Sequence, residues 1–315
     1  MKVQDMLSTT PLQRGKLLAL AALLVPATAG AQESGKFLGL QLDGSFSTLE
    51  RGGYVAPISN PLFNETPYIT TEVRGIYFHH ELPDEFVTGG GNVDVGAIQA
   101  RVALTERLGF IATKDGYADF DFDDVLEDED GFLNIAFGLK YAFFMDPASD
   151  TIVSAGLRYE VPINDLDASG IKLGGDGDGF VNPFVTGATS VGDLGLQASF
   201  GGNFALDDDE DTSFLHYSMH ADYEVLPGFF PLVELNGYTA TKNGERLDGA
   251  LGQLDGVDAL NFGSTNRRTT MTAAGGFRYR ITDRIQLGSA IEAPITGNND
   301  TIFDYRVYAD LVIAY

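Results

Sequence analysis

The chain of 315 residues has no cysteine and no tryptophan. No disulfide framework or thiol chemistry is therefore available. Any aromatic anchoring has to come from its 13 Tyr and 22 Phe. Positive charge is also scarce: 20 Lys and Arg stand against 45 Asp and Glu, for a net charge of −25. That balance argues against nucleic acid as a partner and suits a surface facing divalent cations or a saline medium. Beyond residue 31 no apolar run is long enough for a membrane helix, which needs about 20 residues. If the mature chain spans a membrane, it has to do so as a closed barrel, because every backbone polar group in lipid must be paired.

What is present begins with an address. Arg14 and Lys16 precede an apolar run from Leu17 to Val25, followed by Pro26 and the small residues Ala29-Gly30-Ala31. This reads as a secretory signal peptide over residues 1–31. Losing Lys2, Arg14 and Lys16 against Asp5 takes the mature net charge from −25 to −27. No cysteine follows the cleavage point, so no lipid anchor is expected. Residues 32–66 lack a clear period. Phe37, Leu40 and Leu42 allow a short strand, and Gly52, Gly53, Pro57, Asn60 and Pro61 then break regularity. The segment reads as periplasmic or as an inward-lying plug.

A period of two sets in at Tyr68 and marks residues 67–315 as a barrel. Strands are expected near 68–80, 92–104, 108–118, 131–145, 151–162, 182–191, 194–206, 212–226, 229–241, 268–281, 285–295 and 303–315. The connections alternate in length. Tight turns at 105–107, 146–149, 192–193, 227–228 and 282–283 alternate with polar loops near 81–91, 119–130, 163–181, 207–211, 242–267 and 296–302. This predicts an all-β, transmembrane, antiparallel up-and-down β-barrel of about twelve strands, with both termini periplasmic. Strand faces agree. Leu133, Ile135, Phe137, Leu139, Tyr141 and Phe143 alternate with Asn134 and Lys140, and Leu196, Ala198 and Phe200 alternate with Gln197 and Ser199. Tyr141, Phe143, Tyr223, Tyr279 and Tyr315 fall at one rim; Tyr117, Phe204, Phe214 and Tyr305 are expected at the other.

The last strand, Tyr305–Tyr315, has one apolar face running to a terminal aromatic and an opposite face carrying Arg306 and Asp310. It resembles the C-terminal strand of bacterial outer-membrane barrels, with Tyr in place of the usual Phe. The resemblance implies recognition by the barrel assembly machinery. Three further stretches are Asn60–Glu65, Ala112–Ala118 and His216–Ser218 with Asp222–Pro231. Through them the mature chain is similar to uncharacterised outer-membrane barrels of Gram-negative bacteria, porin-like and often labelled transporters. That implies fold, an outer-membrane location and a setting of lipid and lipopolysaccharide, without an assigned activity.

The inward parity carries the candidate site: Glu72, Arg74, Gln99, Arg101, Lys140, Arg158, Glu160, His216, His220, Asp222, Glu224, Glu234, Arg278, Arg280, Glu292, Arg306 and Asp310. One reading is a polar conduit with a selective charged ring. The other is a salt-bridged interior that fills the barrel, since twelve strands leave only modest room. His216 and Ser218 on one strand face resemble the outer-membrane phospholipase, but the Asn-Gly that follows its serine is replaced by Met219-His220, and the parity turns Ser218 to the lumen. His216 and His220 lie about 13 Å apart along a regular strand, too far for one metal. Acid crowds the loops at 119–130, at Asp176 and Asp178, and at Asp207, Asp208 and Asp209. Such oxygens suit surface Ca²⁺ or Mg²⁺, and a solvated acidic surface is the plainer reading. No cofactor and no enzymatic activity are expected. The leading expectation is a channel passing a small solute through a charged lumen. The alternatives are a non-conducting surface barrel whose acidic loops bind cations or partners, and a lipid hydrolase.

Overall fold

The computed structural model describes residues 36–37, 40–41, 54–86, 88–246, 259–265, 269–296 and 303–315. The expected signal peptide lies outside the described residues. Among these residues no helix is long and apolar enough to cross a membrane.

Twelve antiparallel strands form a closed barrel. They are β1 Glu72–Leu82, β2 Gly91–Ala103, β3 Leu108–Lys114, β4 Ile135–Asp146, β5 Thr151–Val161, β6 Phe180–Val191, β7 Leu194–Ala205, β8 Ser213–Tyr223, β9 Phe229–Lys242, β10 Thr269–Thr282, β11 Ile285–Pro294 and β12 Tyr305–Ala314. Each pairs with its neighbours in sequence, and β12 closes on β1 from Tyr305↔Glu81 to Ala314↔Glu72. Closure leaves no sheet edge for lipid to solvate. The short turns need little chain: Gly192 turns the β6–β7 hairpin at φ 59°, and the Thr282 hydroxyl accepts from Arg284 N and Ile285 N at the β10–β11 turn.

The surface inverts the pattern of a soluble protein. Leu139, Leu157, Phe200, Met219, Val233, Leu235, Ile291 and Leu311 are exposed, while Arg278, Arg306 and Lys140 are among the largest fully buried side chains. A belt of this kind belongs in lipid. Tyr141, Tyr223, Tyr279 and Tyr315 stand exposed at the short-turn end, at the depth of a bilayer interface.

Two strands run on beyond lipid. After a break at Asp115-Gly116, Tyr117–Phe122 pairs with both β2 and Glu129–Phe132. Gly116 sits at φ 140°, where a Cβ would meet Gly96 O at 2.8 Å. The expected acidic loop 119–130 is therefore largely a hairpin. Its period of two is carried by buried Ala118 and Phe120 between exposed Asp119 and Asp121. Leu133 was expected to face out, but it falls at the interruption before β4 and is buried. Phe214 was expected in the rim; it shares parity with His216 and lies inside, 3% exposed. At the loop end Phe78, Val93, Val95, Phe120, Leu133, Leu166, Leu173, Leu260 and Phe262 form one apolar cluster.

Candidate functional site

Residues 54–71 lie inside the barrel. Pro57, Pro61 and Pro67 keep them out of the strand ladder, and Asn60 at φ 51° starts a turn in which its carbonyl accepts from Phe63 N and Asn64 N. A buried segment without secondary structure must satisfy its backbone elsewhere. Here the lumen wall does so. Gln286 Nε2 donates to Tyr54 O at 3.1 Å, Arg278 Nε to Ala56 O at 2.8 Å, and Arg74 Nη2 to Ile58 O at 3.3 Å. Gln99 Nε2 donates to Pro61 O at 2.8 Å, and Arg158 to Leu62 O. Ser199 Oγ reaches Phe63 O, Lys140 Nζ reaches Thr66 O and Ser154 Oγ reaches Pro67 O.

The segment returns one charge, at Glu65. Arg101 grips both carboxylate oxygens, Nε to Oε1 at 3.0 Å and Nη2 to Oε2 at 2.7 Å, and Lys140 Nζ reaches Oε1 at 2.7 Å. Arg101 Nη1 also contacts Glu72 at 3.3 Å. Arg101 and Lys140 thus pair the segment's one carboxylate inside the wall.

Further groups complete the wall. Glu234 on β9 accepts from Ile58 N at 2.8 Å and Ser59 N at 2.6 Å. It is held by His220 Nδ1 at 2.7 Å, whose Nε2 lies 3.2 Å from Asp222. Glu292 accepts from Asn236 at 2.9 Å and from Tyr308, and Arg306 Nε donates to His80 Nδ1 at 3.0 Å. Asp310 bridges Arg278, at 2.8 and 2.9 Å, and Arg74. Nearer the loops Glu160 accepts from Lys114 at 2.6 Å. Two expected wall residues lie at its short-turn end. Glu224 lies past the end of β8 and caps the turn, accepting from Gly228 N at 2.8 Å. Arg280 is half-buried near the short-turn end, its guanidinium 4.9 Å from the Phe230 ring centroid.

Sequence reasoning missed Phe63 and Glu65, which sit in an aperiodic stretch and have no face to read. The Phe63 ring stacks on His216 at 4.4 Å, meets Phe214 edge-on at 5.5 Å and lies 5.9 Å from the Arg158 guanidinium. Gly201 stands opposite His216 on β7, and a Cβ there would come within 2.6 Å of the imidazole. The missing side chain is what lets His216 lie flat on the ring. A cavity of about 10 Å³ beside Phe63 borders Arg158, Glu160, Asn182 and Asn203.

The serine and the acidic loops have other employment. Ser218 Oγ donates to Asn236 at 2.8 Å and accepts from Asn60 at 3.1 Å; no hydrogen bond joins it to His216 or His220, and it faces the lumen, not lipid. Nucleophilic catalysis would need a base beside it. Asp207 caps its own turn, Asp208 and Asp209 pair with Lys242, and Asp211 accepts from Asp176 N and Gly177 N. Among the described residues no three His, Asp or Glu side chains are grouped to hold a metal.

No protein-family model matches the chain, and no curated protein matches it. Solved structures do. An outer membrane channel from Pseudomonas putida F1 is similar with a TM-score of 0.56 at 14% identity, covering 83% of this chain and 100% of that one. The NanC porin is similar at a TM-score of 0.48 and 10% identity, covering 78% and 99%. The outer membrane phospholipase A of Escherichia coli reaches 0.37 at 10% identity, covering 78% and 97%. The first likeness shows the fold; the other two are too distant to carry an argument. With its apolar belt and closed twelve-strand ladder, the chain is a β-barrel of the outer membrane.

Proposed function

We propose that this barrel is an outer-membrane channel for a small solute and that residues 54–67 close it. The observation that carries the reading is the wall around Glu65. Arg101 on β2 and Lys140 on β4 share a carboxylate that comes from the inserted segment, not from a strand. A wall made only to rigidify a barrel has no need to borrow its counter-charge from a non-strand segment. With the segment withdrawn, the same wall is a cationic constriction. The likeness to an outer membrane channel agrees with this reading. The apolar packing of Leu166, Leu173 and Leu260 at the loop end favours the second reading, a non-conducting surface barrel.

The test is single-channel conductance of the refolded mature protein in a planar bilayer. Wild type is expected to be mostly closed, and Arg101→Gln to raise the open fraction at least about tenfold by weakening the hold on Glu65. Persistent silence of a variant whose folding is verified by heat-modifiable gel migration would favour the non-conducting reading.

A further inference from the structure

We propose that the wall around Phe63 and Glu65 is a binding site for a small aromatic carboxylate, and that the inserted segment is its tethered stand-in. This deepens the channel reading and rests on it. The wall holds the segment through two slots, one on β8 and one made by β2 and β4. One takes a flat ring: His216 lies face to face with Phe63 at 4.4 Å and Phe214 meets it edge-on at 5.5 Å. The other takes a carboxylate: Arg101 presents a two-toothed fork and Lys140 a third donor at 2.7 Å, the geometry that recognises carboxylates best. Arg158 on β5 stands beside the ring slot. It borders the ring, donates to Leu62 O and leaves Nη2 without a hydrogen-bond partner although the side chain is buried.

The spacing sets the size of the ligand. Phe63 and Glu65 are two residues apart, so their Cα atoms are at most roughly 7 Å from each other. The probe suited to the test therefore carries a phenyl ring and a carboxylate on a short linker. Other buried charges do not ask for a ligand. Asp310 has Arg278 and Arg74 on the wall itself, and Glu160 has Lys114. Among the described residues, only the Arg101–Lys140 pair takes its main carboxylate from the segment, so a solute that displaces the segment has to bring an anion. The stack on His216 favours one that also brings a ring.

The experiment is calorimetric titration of the refolded full chain with 3-phenylpropanoate, with hexanoate and 3-phenylpropan-1-ol as controls. It compares wild type with Phe63→Ala/Glu65→Gln, which removes both stand-in groups. The double variant is expected to bind 3-phenylpropanoate at least about tenfold tighter than wild type, because the tethered competitor is gone. It is expected to prefer that ligand about tenfold over each control. Adding Lys140→Gln is expected to weaken binding by about tenfold or more. Equal affinity for acid and alcohol, or no gain over wild type in a correctly migrating barrel, overturns the proposal. If the double variant does not refold, the single variants Glu65→Gln and Phe63→Ala carry the same comparison. Conductance of the same preparations separates the two readings. Conduction without binding leaves the channel and removes the site; binding in a barrel that never conducts leaves the site and removes the channel.

Discussion

Replacing Glu65 by glutamine is expected to release residues 54–67 from the barrel while the barrel itself stays folded. The substitution keeps the shape of the side chain and removes its charge. Arg101 and Lys140 are then buried against the segment with their shared carboxylate gone, and Glu72 is left as a contact of Arg101 at 3.3 Å. Breaking a buried ion pair by removing one partner costs about 3–5 kcal/mol. The cost falls on the seated state. A withdrawn segment leaves both cations in a wet lumen, so the seating equilibrium is expected to shift roughly a hundredfold or more. The strand ladder is untouched, since Glu65 takes no part in it. Chymotrypsin reads the outcome, because Tyr54 and Phe63 lie within the segment and Tyr68 directly follows it. Wild type is expected to resist cleavage at these positions and the variant to be cut at Phe63 and Tyr68, with heat-modifiable migration retained. Equal resistance of the two proteins would show that hydrogen bonds to the backbone carbonyls hold the segment without help from the charge.

The barrel was legible because lipid and a polar lumen impose opposite chemistry on alternate residues. Strands such as Leu194–Ala205 and Thr151–Val161 carry that alternation openly. It was misread where residue type was weighed above parity. Phe214 is aromatic and near a strand end, which suggests a rim, yet its number is even like that of His216 and it packs inside against Phe63. Glu224 keeps the parity of Asp222, but the ladder with β9 ends at Asp222 and the side chain turns to a cap. The hairpin beyond β3 was hidden because above the bilayer the outward face is acidic, so Asp119 and Asp121 look like loop. The charged wall was legible as a set, but its occupant was not. Residues 54–67 are recognised largely through backbone carbonyls, and a carbonyl leaves no mark on a sequence. Glu65 is one acid among 45 Asp and Glu, and only the convergence of Arg101 and Lys140 on it distinguishes it from the rest.

Replacing Asp310 by asparagine is expected to be the most damaging conservative change in the wall. Asp310 lies on the last strand, at the seam where β12 closes on β1. Its carboxylate meets both terminal nitrogens of Arg278 on β10, at 2.8 and 2.9 Å, and also Arg74 on β1. The contact crosses β11 at Gly288, where a Cβ would come within 2.5 Å of Asp310 Oδ1 and 3.0 Å of Arg278 Cζ. One carboxylate thus ties three strands across the seam, and Arg278, held by it, carries Ala56 O. Asparagine preserves the size and leaves two fully buried guanidinium groups with no carboxylate between them, a loss of about 3–5 kcal/mol. The measurement is equilibrium unfolding by urea in lipid vesicles, followed by heat-modifiable migration. Adding Arg278→Gln to Asp310→Asn is expected to recover part of the loss, because it removes one of the stranded charges, so the two effects should fall short of their sum. If the losses simply add, Asp310 acts through its shape and hydrogen bonds alone, and the seam does not depend on neutralising charge.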